Sequence, residues 1–503
     1  MNTNVVEVPI LVARKTFRME DQEKFAEFSG DFNPVHLSVT ASRRTQAGAP
    51  AVHGMHQVLW ALEQIPSFLP ANKGIVHLRA RFPHFLLVDE DAYLSLNEHA
   101  ENTIHLTIAT RGITCTNMIL TLSMQEERDR SNFAIPDGAE GGRDCKDRTF
   151  DDVQSASGDL PVRFGAEEAQ LLFPAASSLI GAARVTAIAA ISRLVGMECP
   201  GLHSIFSSMD VRLVEVNEDR LRFSVATADR RYSFLRQNLH GGGIEGRIDT
   251  FLRIPPVAQA TAKHLQGLVA AKEFSDSTAL IIGASRGLGE FTAKAIGVGG
   301  GRVIATYCIG RDQCEKVANE IRSCGGICDI LSYDARKPAT SQLELMPALP
   351  TSLYYFATTK IAARQNDLFD GERFNEFVRV YLRGFFDLCL QMKTLGVKRL
   401  VILYPSSVAV ESRPADMGVY AMAKAAGEVL CDEIGQRWPE FQVIVRRLPR
   451  LLTDQTATVL NVSSSPVEDV LLPIIREVES ESSKAISLSA PSMKLRVGVA
   501  RTT

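Results

Sequence analysis

The chain has 503 residues, 45% hydrophobic and 22% charged, with a formal net charge of −3, which suits several buried cores and gives no charge-driven attraction to nucleic acid or an anionic membrane. The start, MNTNVVEVPILVARK, lacks the pattern of a secretory signal, and no apolar run reaches the roughly 18–20 residues that cross a bilayer, so no membrane partner is expected. The nine cysteines are scattered without a CxxC pair, so neither a metal site nor a catalytic thiol is expected, and a reducing cytoplasm is the expected location.

Residues 16–30 begin as a polar helix with Met19, Phe25 and Phe28 on one face. The turn FSGDFNPVH follows at Phe28–His36, where Pro34 fixes its own φ and keeps Asn33 extended. Residues 53–65, HGMHQVLWALEQI, predict a helix with Met55, Val58, Leu59 and Leu62 on one side. Alternating runs at 75–82, 92–97, 103–110 and 116–124 predict antiparallel strands and an α+β layer. Residues 125–160 are polar with charges of alternating sign and read as a linker or mobile loop. A small-residue helix is expected over 175–195, then strands over 203–215, 220–227 and 245–254. This order echoes residues 53–124, so a second, degenerate copy of the first unit is expected; the alternative is an unrelated α+β domain. Residues 257–276 read as a helical connector. From Ser277 the runs TALIIG, RVIATY, ICDILSY, SLYYFAT, RLVILYP and QVIVRRLP alternate with helical segments, which predicts βαβ units and a parallel sheet covered on both faces.

Two constellations carry chemistry. In the first, a turn can bring Asp31 and His36 to one pocket, and together they could hold a water. Gly54 stands at a helix start, where backbone N–H groups can stabilise a developing oxyanion. FAEFSGDFNPVHLSVTAS followed by VHGM resembles the MaoC-like (R)-specific enoyl-CoA hydratase (hydratase 2) family over residues 15–128. The resemblance implies a hot-dog fold, a long helix wrapped by an antiparallel sheet. It implies Asp31 and His36 as the catalytic pair, Asn33 as a group orienting the water or the loop, and Gly54 as an oxyanion donor. His53 is read as positioning the turn. Taken singly, Asp31 could be a turn cap and His36 a packed histidine.

In the second, Leu280–Gly289, LIIGASRGLG, runs from a strand through Gly283, Gly287 and Gly289 into a helix, a context for pyrophosphate. Tyr420 and Lys424 are four apart on one helix face, where an ammonium could lower the tyrosine pKa, and Ser407 follows a strand. These features resemble the short-chain dehydrogenase/reductase family over residues 275–460. The resemblance implies a Rossmann-type doubly wound sheet, with Ser407 and Tyr420 catalytic and Lys424 holding the ribose and tuning Tyr420. It implies Gly283, Ser285, Arg286, Gly287, Leu288, Gly289 and Ala357 as cofactor contacts, with Asp334 on the adenine. No acidic residue follows the second strand before Asp312, and Arg286 offers charge for a 2′-phosphate, so NADP(H) is expected. Three positions depart from the family: Tyr355-Phe356-Ala357-Thr358 replaces Asn-Asn-Ala-Gly, Tyr381 replaces the relay asparagine, and Pro449-Arg450 replaces Pro-Gly.

The expected organisation is therefore tandem hot-dog folds, the second degenerate, followed by the parallel-sheet domain: 1–128, a linker 129–162, 163–256, a connector 257–276, and 277–503. The expected function is hydration or dehydration of 2-enoyl/(R)-3-hydroxyacyl thioesters joined to NADPH-dependent reduction of 3-ketoacyl thioesters. The substrate would be an acyl-CoA or acyl-carrier-protein thioester, and a homodimer is expected. The alternatives are a hydratase with an inactive nucleotide-binding domain, a non-catalytic acyl- or carrier-binding scaffold, and a reductase of nucleotide sugars.

Overall fold

Strands in the first half of the chain alternate between inward apolar and outward polar residues, as in Thr103–Thr110, where Ile104, Leu106 and Ile108 are buried. Ten such strands form one antiparallel sheet: β1 (Ile10–Thr16), β2 (Lys73–Arg81), β3 (Asp91–Ala100), β4 (Thr103–Thr110), β5 (Ile113–Met124), β6 (Ser157–Pro161), β7 (Ser204–Leu213), β8 (Arg220–Asp229), β9 (Phe234–Gly241) and β10 (Ile244–Leu252). Their order is β1-β3-β4-β5-β2-β7-β10-β9-β8-β6. Read outward from the central β2–β7 pair, the halves run 2-5-4-3-1 and 7-10-9-8-6, so the topology repeats. At that seam Leu78 faces Val211 and Ala80 faces Met209, all buried, which carries the apolar face across both halves. Each half has a helix in the common core, Gly54–Gln64 in the first and Ala182–Arg193 in the second.

The computed structural model describes residues 9–124, 142–162, 166–216, 218–361, 369–415, 417–456 and 464–489. The chain divides into Met1–Pro256 with Ala457–Val462, and Val257–Thr456 with Ser463–Thr503. Several elements differ from expectation. Strands β1, β6 and β9 are additional. The expected helix over 175–195 breaks at Gly181, whose φ is 88°, into Pro174–Ile180 and Ala182–Arg193. Of the expected linker, residues 125–141 lie outside the described residues, while 142–162 contain the helical turn Phe150–Val153 and β6, which pairs with β8. The expected connector is one helical turn, Ala262–Leu265, followed by a chain that buries Leu265, Val269 and Phe274 in the core of the second unit. Among the described residues no single helix is long and apolar enough to cross a membrane.

The second unit is built on β11 (Thr278–Ile282), β12 (Arg302–Tyr307), β13 (Ile327–Ser332), β14 (Ser352–Tyr355), β15 (Leu400–Ser407) and β16 (Phe441–Leu448). All pairings are parallel and the order is β13-β12-β11-β14-β15-β16. One face is covered through Phe291, Ile296, Ile321 and Ile475, the other through Phe377, Phe385, Leu388 and Ile434. Strand order reverses beside β11, between β12 and β14, and the carboxyl ends there form the crevice in which such sheets bind ligands.

Candidate active sites

In the first unit the turn after helix Met19–Ser29 is set by Gly30, whose φ of 75° ends the helix, and by Asn33, whose Oδ1 accepts the Val35 N–H at 3.1 Å. Pro34 then opens the short helix Pro34–Leu37, which carries His36. Asp31 is buried, and its Oδ2 lies 3.9 Å from His36 Nε2. That gap is too long for a direct bond and short enough for one water to bond to both atoms. His36 Nδ1 lies 2.7 Å from the Ala51 carbonyl and donates to it, which turns Nε2 toward Asp31. Burial raises the Asp31 pKa; His36, Ser192 and the Asn33 N–H oppose that shift.

The expected roles are partly redistributed. Both polar ends of Asn33 bond to backbone, since Nδ2 donates to the Gly196 carbonyl at 2.9 Å, so it holds the loop. His53 stacks on His36 with centroids 3.8 Å apart, and its ring nitrogens lie 2.9 Å from Gln22 Oε1 and 3.1 Å from the Asp31 carbonyl. Burial holds its pKa well below the usual histidine value. Gly54 opens helix Gly54–Gln64, so its N–H has no intrahelical acceptor. A Cβ there would lie 3.3 Å from the Phe82 ring and 3.5 Å from Phe206, so half-buried rings from both repeats cover this helix start. Sequence reasoning missed Ser192, whose Oγ donates to Asp31 Oδ2 at 2.7 Å, and Gly196, which packs under the carboxylate. Neither stands in a motif; only the pairing of the two repeats brings them to Asp31.

In the second unit Gly283 and Gly287 have φ of 87° and 62°, values that favour glycine, and a Cβ at Gly289 would lie 2.3 Å from the Gly283 carbonyl oxygen. Helix Gly287–Val298 starts at this turn, so the cradle fits a pyrophosphate. Ser285 is buried in the turn and Leu288 packs into the core beneath it. Ala357 follows β14, its N–H 3.4 Å from the Cβ position of Gly283. Arg286 does not stand free for a 2′-phosphate: its Nη1 pairs with the buried Asp454 Oδ2 at 3.4 Å. Asp334 spends both carboxylate oxygens on Arg336, at 2.8 and 2.9 Å. The Arg336 Nη2 also reaches Cys308 Sγ, 3.6 Å away, immediately after β12.

Ser407 ends β15, and Tyr420 lies on helix Gly418–Arg437. Burial raises the Tyr420 pKa and Ser407 opposes the rise. Lys424 Nζ donates to the Pro405 carbonyl at 2.7 Å and sits 4.0 Å over the Tyr381 ring. Burial lowers the Lys424 pKa to about 7. Tyr381 is fully buried, and its hydroxyl is 2.6 Å from Thr358 Oγ1, so two of the departing positions bond to each other beside Lys424. Arg450, the third, donates to the Thr456 carbonyl.

Residues 277–465 match the family model described as short chain dehydrogenase. No curated protein matches the chain. Among solved structures, a gluconate 5-dehydrogenase from Burkholderia cenocepacia J2315, in complex with NADP and tartrate, is 16% identical with a TM-score of 0.38, over 44% of this chain and 93% of that one. A 3-oxoacyl (acyl-carrier-protein) reductase from Agrobacterium tumefaciens C58 with NADP bound is 19% identical with a TM-score of 0.37, over 42% and 90%. The landomycin C-6 ketoreductase LanV with bound NADP and rabelomycin is 21% identical with a TM-score of 0.36, over 42% and 92%.

Proposed function

We propose that the chain is a bifunctional acyl-thioester enzyme. Its second unit reduces 3-ketoacyl thioesters with NADPH, and its first unit interconverts (R)-3-hydroxyacyl and 2-enoyl thioesters. The observation that carries this reading is the one-water gap of 3.9 Å between Asp31 Oδ2 and His36 Nε2, with His53, which stacks on His36, standing just before the N-terminus of helix Gly54–Gln64. It supports a MaoC-like hydratase, and a helix wrapped by antiparallel strands, twice over, supports tandem hot-dog folds. In the hydration direction the bridged water loses a proton to one of these two groups while its oxygen bonds to C3. A proton is returned to C2, and the Gly54 N–H holds the thioester oxygen while it carries negative charge.

For reduction, the nicotinamide supplies the hydride when bound. Tyr420 donates its proton to the substrate oxygen that Ser407 also holds, and Lys424 would hold the ribose. The glycine turn would take the pyrophosphate. Arg336, beside Cys308 immediately after β12, would be the cation for a 2′-phosphate while keeping its pair with Asp334, and no acidic side chain stands at Tyr307-Cys308-Ile309 to favour NADH. The acyl carrier is coenzyme A or acyl carrier protein. A homodimer in the cytoplasm completes the reading: Phe386, Leu390, Met422 and Val429, exposed on two helices of the second unit, offer apolar surface for it, and sedimentation would show the state.

Product analysis with acetoacetyl-CoA plus NADPH, and with crotonyl-CoA, tests the proposal. Asp31→Asn should lose hydration by about 10²–10⁴-fold and keep NADPH oxidation; Tyr420→Phe should do the reverse. A wild-type protein that turns over neither substrate would reduce the chain to a binding scaffold. One observation favours a second reading, a nucleotide-binding unit without turnover: Tyr381 covers Lys424 and bonds Thr358. Wild-type hydration of crotonyl-CoA without any NADPH oxidation would select it.

A further inference from the structure

We propose that the second, motif-free repeat completes the hydratase site by fixing the Asp31 carboxylate, with Ser192 as a positioning residue and Gly196 as the seat of the carboxylate. This rests on the hydratase reading of Asp31 and His36. Asp31 Oδ2, the oxygen that faces His36, accepts the Ser192 hydroxyl at 2.7 Å. Its other oxygen accepts the Asn33 N–H at 3.1 Å and lies over Gly196, where a Cβ would be only 2.2 Å away. Asn33 Nδ2 in turn donates to the Gly196 carbonyl at 2.9 Å. Three links thus run from the turn that carries Asp31 to one stretch of the second repeat.

That stretch has its own irregularity. Where helix Ala182–Arg193 ends, the chain widens over Leu194–Glu198, and the Cys199 N–H reaches back five residues to the Leu194 carbonyl at 2.7 Å. Such a widened turn shifts the residues beyond it out of ordinary helical phase. Ser192 and Gly196, four apart, flank the carboxylate, and both are buried. One lone pair of Oδ2 remains for the water shared with His36. The serine is an acceptor-capable hydroxyl that here has a carboxylate as partner, so it acts as the donor and sets which oxygen faces the water.

The groups that face Asp31 and titrate are His36, His53 and Cys145. Ser192→Ala should lower kcat for crotonyl-CoA hydration by about 10- to 100-fold, the factor that one hydrogen bond to a charged group represents. KM should stay within about twofold, because Ser192 touches no substrate. The acid limb of the pH profile should move to higher pH, since a bond that favours the carboxylate is lost. Ser192→Thr, which keeps the hydroxyl, should restore most of the rate. Gly196→Ala should lower kcat by displacing the carboxylate. Melting temperature and near-UV circular dichroism report folding, and a 13C titration of Asp31 reads its pKa without any turnover. Wild-type hydration with unchanged kcat, acid limb and Asp31 titration in Ser192→Ala overturns the inference and leaves the hydratase reading standing. A wild type that hydrates nothing defeats that reading, while a raised Asp31 pKa in Ser192→Ala would still establish the positioning.

Discussion

Tyr381 stands beside Lys424 and Thr358 in the second unit. The Lys424 ammonium lies 4.0 Å over its ring and its hydroxyl is bonded to Thr358, so in the proposed reduction the ring would cover one side of the lysine beside Tyr420. Tyr381→Asn removes the ring and offers polar atoms in its place, and NADPH oxidation with acetoacetyl-CoA is expected to rise by about 10-fold, within the range that acid–base relays supply. A fall in rate with an unchanged melting temperature would show that the phenol has its own part in the relay. A second residue prediction concerns coenzyme choice. Arg336→Ala is expected to weaken NADPH by about 10-fold and leave NADH unchanged, read by fluorescence titration, as for loss of a charge-assisted bond to a 2′-phosphate. The residues that resemble known motifs could be named from sequence because each is tied to local chemistry: a Gly-Asp-x-Asn-Pro turn, glycines that need positive φ, a Tyr and Lys one helical turn apart. Ser192, Gly196 and Asp454 could not, since each matters only through a partner distant in the chain, and the contact of Arg336 with Cys308 spans 28 residues. For Ser192 and Asp31 the separation is 161 residues.

At the scale of elements, the strands that sequence missed share a cause. β1 and β6 are the two edges of the ten-stranded sheet, paired on one side only, so their residues need not alternate cleanly: Ile10 and Leu11 are exposed in β1. β9 is central, but its inward face carries Gln237 between Leu235 and Leu239. That amide is buried by donating to the Cys199 carbonyl at 3.1 Å and Thr250 Oγ1 at 3.3 Å, which hides the strand's apolar period. The parallel strands were legible because burial on both faces leaves short continuous apolar runs. One element there carries a buried acid. Glu479, on helix Val467–Ser489, receives Ser352 Oγ at 2.8 Å and Tyr354 OH at 2.7 Å on Oε1, and burial raises its pKa. A carboxyl whose folded pKa is raised adds stability below its unfolded pKa, and that stability is lost as pH rises through the folded value. Glu479→Gln keeps an acceptor oxygen without the charge. It is expected to stabilise the protein by about 1–3 kcal/mol at pH 8, with the gain vanishing near pH 4, followed by thermal melts across that range. An equal effect at both pH values would mean that the Glu479 pKa does not change on folding.

At the scale of the whole chain, the two proposed activities meet at one molecule, the (R)-3-hydroxyacyl thioester: product of reduction, substrate of dehydration. NADPH as reductant favours the direction from 3-keto to 2-enoyl. The two sites lie in different units and share no residue, so each can be removed without touching the other. Asp31→Asn given acetoacetyl-CoA and NADPH is then expected to accumulate 3-hydroxybutyryl-CoA of R configuration, and Tyr420→Phe to form nothing from acetoacetyl-CoA while still hydrating crotonyl-CoA. Mixing the two variants distinguishes a shared chain from a sealed passage. If the intermediate is released to solvent, the mixture makes crotonyl-CoA after a lag that shortens as protein concentration rises, because the second step waits for the free intermediate to build up. If the wild type shows no lag and the mixture makes none of the product, the intermediate stays on the chain that formed it, and fusion of the two units serves transfer and not only joint expression. Accumulation of the S isomer would separate the units altogether, since the site built on Asp31 and His36 is read as acting on the R form.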